Sequence, residues 1–427
     1  MTAHSPMTSG TPLSAPLRVD PTSLAADGLA ALSAARDEPD WLRATRLEHL
    51  ERYRATPWPT GAEEEWRRTS LKDLPRDAAL DEASATEVSA LDPDAAAAGV
   101  VFAPLGEAVA SHPDLVRPWL TDDVDGPATH AAFWHLAHAA WTTGTFLYVP
   151  PGARVDLVLR ARTAQAQVDG ATFPVTLVVA GEDSEVTLLE EFSSPDGGPS
   201  WFGGIVDLRA ERGARVRYAS LQLLGDQAWR ISAQRVVVGQ DAEVTTLNAE
   251  IGSRITKLGL EVLMAGAGGT SRLLGVLAAG DAQRIDINSH QDLLASHTTS
   301  DLLYLSALYE QARAAFYGVT RVRPEAKQTS SYQECRNLLL SPEAGAEPIP
   351  VLEIETNDIL RCGHGATAGA IDPTQLFYAQ TRGLTADAAE RMIVRGFFER
   401  AVADIGSEPI RARVLAALAS RIGQEAA

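Results

Sequence analysis

Residues 213–248 read GARVRYASLQLLGDQAWRISAQRVVVGQDAEVTTLN. A turn residue followed by a small one, Gly213-Ala214, opens a strand of alternating apolar character, a β-branched run RVVVGQ comes next, and the phrase restarts at Asp241-Ala242. The same wording appears as GARVDLVL at Gly152, DSEVTLLE at Asp183, GTSRLLGV at Gly269 and DAQRIDIN at Asp281. The small residues Ala153, Ser184, Ala214, Ala242 and Thr270 recur at steps of 31, 30, 28 and 28. Runs such as VTLVVAG and GIVDLRAE precede the phrases, so the unit is strand, tight turn, strand. A unit of this kind cannot bury its inner face alone and must stack on its neighbours. The pattern therefore predicts a mainly β chain built on a β-solenoid, most simply a right-handed parallel β-helix. A large antiparallel sandwich is the alternative that the same alternation permits.

Outward from the repeat, both flanks read as helical. Asp40 can cap a helix carrying Leu42, Leu47, Leu50 and Tyr53, which Pro57-Trp58-Pro59 then stops. Thr385 can cap a second, with Asp387 in its first turn and Val394, Phe398, Val402 and Ile405 on one stripe. A third opens at Ser407-Glu408-Pro409 and presents Ile410, Val414, Leu418 and Ile422. Such stripes are usually packed against their own domain. These readings divide the chain into a disordered tail over 1–36, rich in Ser, Thr and Pro at its start, and a helical region with linker over 37–125. The β-helix core occupies 126–383, and a C-terminal helical domain 384–427.

Composition narrows the function classes. The 427 residues, 45% of them hydrophobic, suffice for a large core. Thirty-seven basic against 56 acidic residues give a net charge of −19, which argues against a nucleic-acid surface. No apolar run reaches the roughly 18 residues of a membrane span, and the first twenty residues lack the pattern of a secretory leader. Two widely separated cysteines suit a reducing compartment, the cytoplasm, rather than a disulfide framework.

One of those cysteines lies in DILRCGHGATAGAID, residues 358–372. On a strand, Cys362 and His364 project side by side, and a thiolate beside an imidazole suits a soft metal such as iron or zinc. Gly363, Gly365 and Gly369 leave the backbone bare for another chain or an inorganic cluster. Two ligands do not close a site, so the rest must come from distant residues, a partner or a cluster's own sulfides. Without context such a pair is more often a buried thiol and a solvated histidine. Other constellations are better read as structural. His130, His135 and His138 interleave with Phe133, Trp134, Leu136 and Trp141 and suit a packed helix. His290 and His297 read as rung-stacking or hydrogen-bonded residues, AGAGG at 265–269 as a solenoid turn, and Cys335 as a small buried residue.

The residues beyond Cys362 and His364 carry a resemblance. LFYAQTRGL and TADAAERMIVRGFFERAVADI, with SHQDLL from Ser289 onward and IPVLEIETNDI upstream, look like the C-terminal part of the SufB/SufD family, the scaffold subunits of SUF iron-sulfur cluster assembly. EPDWLRATRLEHLERYRATPWPT and EEEWRRTSLKDL are similar to the family's opening, and the likeness is weakest over 77–125. SufB-type chains carry a core cysteine as sulfur acceptor. This chain has none before Cys335 and resembles SufD instead. The resemblance implies a β-helix core and a non-catalytic scaffold that pairs with a SufB-like subunit. His364, with Cys362 beside it, would face a transient iron-sulfur cluster at the subunit interface, none being held permanently by this chain alone. It also implies docking of a SufC-like ATPase on the C-terminal helices, which puts Val394, Phe398 and Val402 at that contact. The alternatives are a β-helix carbohydrate-active enzyme, which needs paired carboxylates on one face, a Cys-His hydrolase using Cys362, and a SufB-like homodimeric scaffold.

Overall fold

A computed structural model describes residues 16–122 and 125–425. From residue 144 onward the strands alternate between two sheets, and each sheet grows by one parallel strand per turn, forming a β-solenoid of about eight turns. One sheet has nine strands and the other eleven, and the inner faces enclose an apolar interior that includes Val216, Leu258, Leu273 and Phe316.

Apart from the phrase at Asp281, which opens a strand of the other sheet, the repeat read in the sequence is a column of left-handed turn residues at one corner. Gly152, Asp183, Gly213, Asp241, Gly268, His297 and Gln328 all have positive φ, one per turn. The backbone N–H of each donates to a carbonyl of the next turn, as Gly213 does to Gln240 at 2.8 Å and His297 to Lys327 at 2.8 Å. Gly and Asp dominate the column because they adopt this conformation at little cost. At Gly213 and Gly268 the glycine is also steric: an added Cβ would collide with Asp183 and Asp241, their neighbours in the column.

Polar residues inside the solenoid are tied to one another. Glu190 accepts hydrogen bonds from Thr145, Thr176 and Tyr218, each at 2.7 Å, and Arg230 pairs with Glu250 at 2.9 Å. Burial in this interior raises both carboxyl groups above the usual range.

The N-terminal part covers the first turns. Its strands Ala85–Val88 and Val101–Pro104 pair antiparallel with the first strand of each sheet. Helices Asp40–Ala55 and Ala131–Ala140 join Trp66, Trp201 and Trp229 in a second apolar cluster. Asp40 is the first residue of its helix, and its side chain makes no capping bond, the chain entering through Pro39 instead. The tail expected over 1–36 lies outside the described residues as far as residue 15. From residue 16 the chain is ordered: Leu17 and Val19 are buried, and helix Ala26–Ala35 buries Leu29 and Leu32. Composition at the start of the tail had masked that apolar spacing.

At the other end, helices Pro373–Thr381, Ala386–Asp404 and Glu408–Glu425 fold back over the outer face of the nine-stranded sheet. Thr385 caps the second of these, accepting from the Ala388 N–H at 3.2 Å. Among the described residues, no helix is long and apolar enough to cross a membrane.

Candidate functional site

The last strand of the nine-stranded sheet, Ile359–Gly369, carries Cys362 and His364. It pairs in parallel with Thr329–Leu339, and the register sets Cys362 on Ser331 and His364 on Gln333. Ser331 and Gln333 are buried and face the interior, so Cys362 and His364 stand side by side as the final layer at the solenoid mouth. Cys362 is half-buried against the interior cluster, while His364 is exposed. Burial pushes the Cys362 thiol up, which favours the protonated form until a cation or metal arrives. An exposed imidazole beside a thiol fits half of a soft-metal site. Among the described residues, no group of three or more His, Cys, Asp or Glu side chains could hold a metal ion.

The glycines around the pair serve the opposite face. Gly363 and Gly365 lie over Tyr332, where an added Cβ would stand 3.4 Å from its ring and 3.0 Å from its hydroxyl. Arg361 stacks on the same ring at 4.7 Å. Asn337 ties the strand down by donating to the Thr367 carbonyl at 2.8 Å.

The two terminal strands differ at their free edges. Strand Gly345–Ile354 ends the eleven-stranded sheet. Gly345 and Glu355 donate inward, to Ala312 and Val322, so the even-numbered positions between them face outward. Pro348 and Pro350 fall on that outward set and strip it of two donors. Ile359–Gly369 holds no proline. In the preceding strands the residue in register with Arg361 donates inward, as Ser330 does to Thr298. By that register the N–H groups of Cys362, His364, Ala366 and Ala368 face the free edge. The paired prolines in IPVLEI were the sequence signal for this asymmetry.

The other candidates resolve as structure. Cys335 is buried between Tyr304 and Ala366 in the register, its thiol pushed up to about 12 by burial. His49 contacts His135 at 3.0 Å and stacks on His138 at 4.5 Å, making the histidine-rich helix part of the N-terminal core. His290 lies on the outer face 3.9 Å from Glu65, and His297 and Gly268 are corner residues. Glu190 faces the interior while its neighbour Glu191 faces outward to Arg413 at 2.6 Å. The two acids of a glycoside hydrolase share one cleft, and these lie on opposite sides of a sheet.

Val394, Phe398 and Val402 are fully buried against the chain's own sheet, beside Leu274, Leu303 and Leu305. Of the three, Phe398 also lines the floor of the cleft between the last two helices. The periodicity identified a buried stripe correctly, but what it buries against is internal. Ile410, Val414 and Leu418 extend the same layer, and the Ile422 side chain lies outside the described residues. What this region exposes instead is Phe377 (67%), Tyr378 (60%) and Met392 (52%). A cleft of about 320 Å³ lies between the last two helices, lined by Arg391, Met392, Arg395 and Leu415.

The geometry can be set beside known proteins. The chain is 27% identical over 307 residues to the iron-sulfur cluster assembly protein SufB of Bacillus subtilis, covering 72% of this chain and 65% of that one. It is 26% identical over 302 residues to an iron-sulfur cluster assembly SufBD family protein of Staphylococcus saprophyticus, covering 70% and 64%. A SufBD family protein of Mycobacterium leprae is 30% identical over 265 residues, 62% of this chain and 30% of its own length. The chain thus spans under two thirds of the length of these relatives. Residues 161–397, more than half of the chain, match the family model described as SUF system FeS cluster assembly, SufBD core domain, and the protein belongs to the SufB/SufD family.

Proposed function

We propose that this chain is a non-catalytic scaffold subunit of an iron-sulfur cluster assembly complex, of the SufD type. The observation that carries the proposal is the terminal strand Ile359–Gly369, which has one edge unpaired among the described residues and holds an exposed imidazole beside a thiol. A strand with free N–H and C=O groups is a template for a partner's strand. A SufB-like subunit added there brings its own donors to the half-site of Cys362 and His364, and the cluster is cargo shared across the seam. The names of the relatives support the process, and the absence of any cysteine before Cys335 supports the SufD type. A reducing cytoplasm suits both thiols.

A SufC-like ATPase docks on the C-terminal helices in this proposal. Its contacts are the exposed Phe377, Tyr378 and Met392 rather than the buried stripe. Arg400 clamps Glu334 at 2.9 Å and 2.5 Å, joining the helix Ala386–Asp404 to the strand next to the cluster strand. Movement of the helices on ATP hydrolysis is thereby felt beside Cys362 and His364.

The test is His364→Ala, followed by co-purification and anaerobic reconstitution with the SufB-like and ATPase subunits. The complex should form as before, with cluster yield falling severalfold. Unchanged yield would remove His364 from the ligand set, and recovery of the chain as a monomer without those subunits would remove the scaffold reading.

A further inference from the structure

A cleft of about 510 Å³ opens on the outer face of the eleven-stranded sheet, between the segment after the short helix Glu64–Trp66 and the starts of the last three strands. Four arginines line it, Arg67, Arg68, Arg284 and Arg313, in a chain whose net charge is −19.

The carboxylates of the cleft are already engaged. Glu347 pairs with Arg68 at 3.1 Å, and Asp286 pairs with Lys257 at 2.8 Å and accepts from the Thr69 hydroxyl at 2.6 Å. Glu64, at the edge, holds Arg67 at 2.6 Å and Arg68 at 2.8 Å. That leaves Arg284 and Arg313. They are register partners on the adjacent strands Arg284–Leu293 and Arg313–Val322, so their backbones stand about 4.8 Å apart. Among the described residues, no carboxylate lies within ion-pairing distance of either. Like charges directly opposite on neighbouring strands destabilise a sheet, and an anion between them reverses the sign.

The floor is hollowed to match. Ala315 lies in the row next to Arg313, and Gly345 is the register partner of Arg313 on the terminal strand, where a Cβ would overlap its guanidinium. We propose that this cleft binds a small oxyanion, a phosphate or carboxylate compound, held by Arg284 and Arg313. Planar guanidinium groups take such oxygens two at a time, and the volume falls within the roughly 300–1,000 Å³ of small-molecule sites. The proposal does not depend on the scaffold reading, because it uses neither Cys362 nor His364.

The test is calorimetric titration of the full chain at low salt with pyrophosphate and, separately, with citrate. The expected result is one saturable site, and the tighter of the two anions tells phosphate from carboxylate chemistry. The double variant Arg284→Gln/Arg313→Gln should weaken binding at least about tenfold, the loss of one charge-assisted contact or more. The charge-matched control Arg154→Gln/Arg160→Gln, at the far end of the solenoid, should leave it within about twofold, since distant exposed charges are screened. Gly345→Val, which crowds Arg313 without removing a charge, should weaken the same anion. Absence of saturable binding, or equal loss in the two double variants, overturns the proposal.

Discussion

The two ends of the solenoid are finished in opposite ways. At the N-terminal end each sheet receives a short antiparallel strand, and two helices with a cluster of tryptophans cover the outer face. At the C-terminal end no strand among the described residues pairs with the outer edge of either sheet. One terminal strand is blunted by Pro348 and Pro350, and the other is kept open with Cys362 and His364 on it. A stacked fold needs capping to stay soluble. This chain caps one end with its own residues, and under the proposed scaffold function a second chain would cover the other.

Substitutions of similar chemistry should therefore have unequal effects at the two ends. Phe146 is fully buried in the first parallel strand of the closed end, against the N-terminal helices. Phe146→Ala should cost about 3–5 kcal/mol in denaturant unfolding, through lost burial and the cavity left behind. Leu360 is 68% exposed on the terminal strand. Leu360→Ala should stay within about 0.5 kcal/mol in the same measurement. Comparable losses would mean that the open end is as well packed as the closed one, and the contrast would fail.

The next effect separates pairing from stability. The Ala366 N–H faces the free edge, so Ala366→Pro removes an outward donor and spares the inner ladder. Melting of the isolated chain should hardly change, while affinity for a SufB-like subunit should fall at least about tenfold, or 1.4 kcal/mol. Retained affinity would place the partner somewhere other than this edge.

The closed end and the open end also differ in how far the sequence revealed them. Solenoid turns were legible because Gly and Asp mark the corner at Gly152, Asp183, Gly213 and Asp241, and a left-handed conformation selects those residues. His297, Glu310 and Gln328 adopt the same conformation without the marker, so those corners were not recognisable as turns. The capping strands are four residues each, too short for alternation to register. Neighbourhood of Cys362 and His364 came from a period of two. That they close the stack came only from counting turns. Periodicity likewise gave the buried face of Val394, Phe398 and Val402 but not the surface it meets, because amphipathic spacing is the same for an internal and an external partner.

Acid should act on the closed end first, as the smallest of these effects. His130 and His138 are buried there. Burial holds both well below their ordinary value of 6.5, helped by Lys257 and His290 at the first and by His49, His135 and Arg46 at the second. Above pH 6.5 both are neutral in the folded and the unfolded chain, and their contribution to stability is whole. As pH falls below 6.5, the unfolded chain takes up protons that the folded one refuses, so stability drains away until the folded values are reached. Hydrogen exchange tracked from pH 7.5 to pH 5.5 should therefore show protection lost first in the helices Asp40–Ala55 and Ala131–Ala140, with the turns near Ile359–Gly369 changing less. The substitution His138→Phe, which removes the titrating ring and keeps an aromatic against His49, should flatten the response of those helices. If the terminal strand loosened first, the weak point in acid would be the open end, and the closed end would owe its order to packing that protons do not reach.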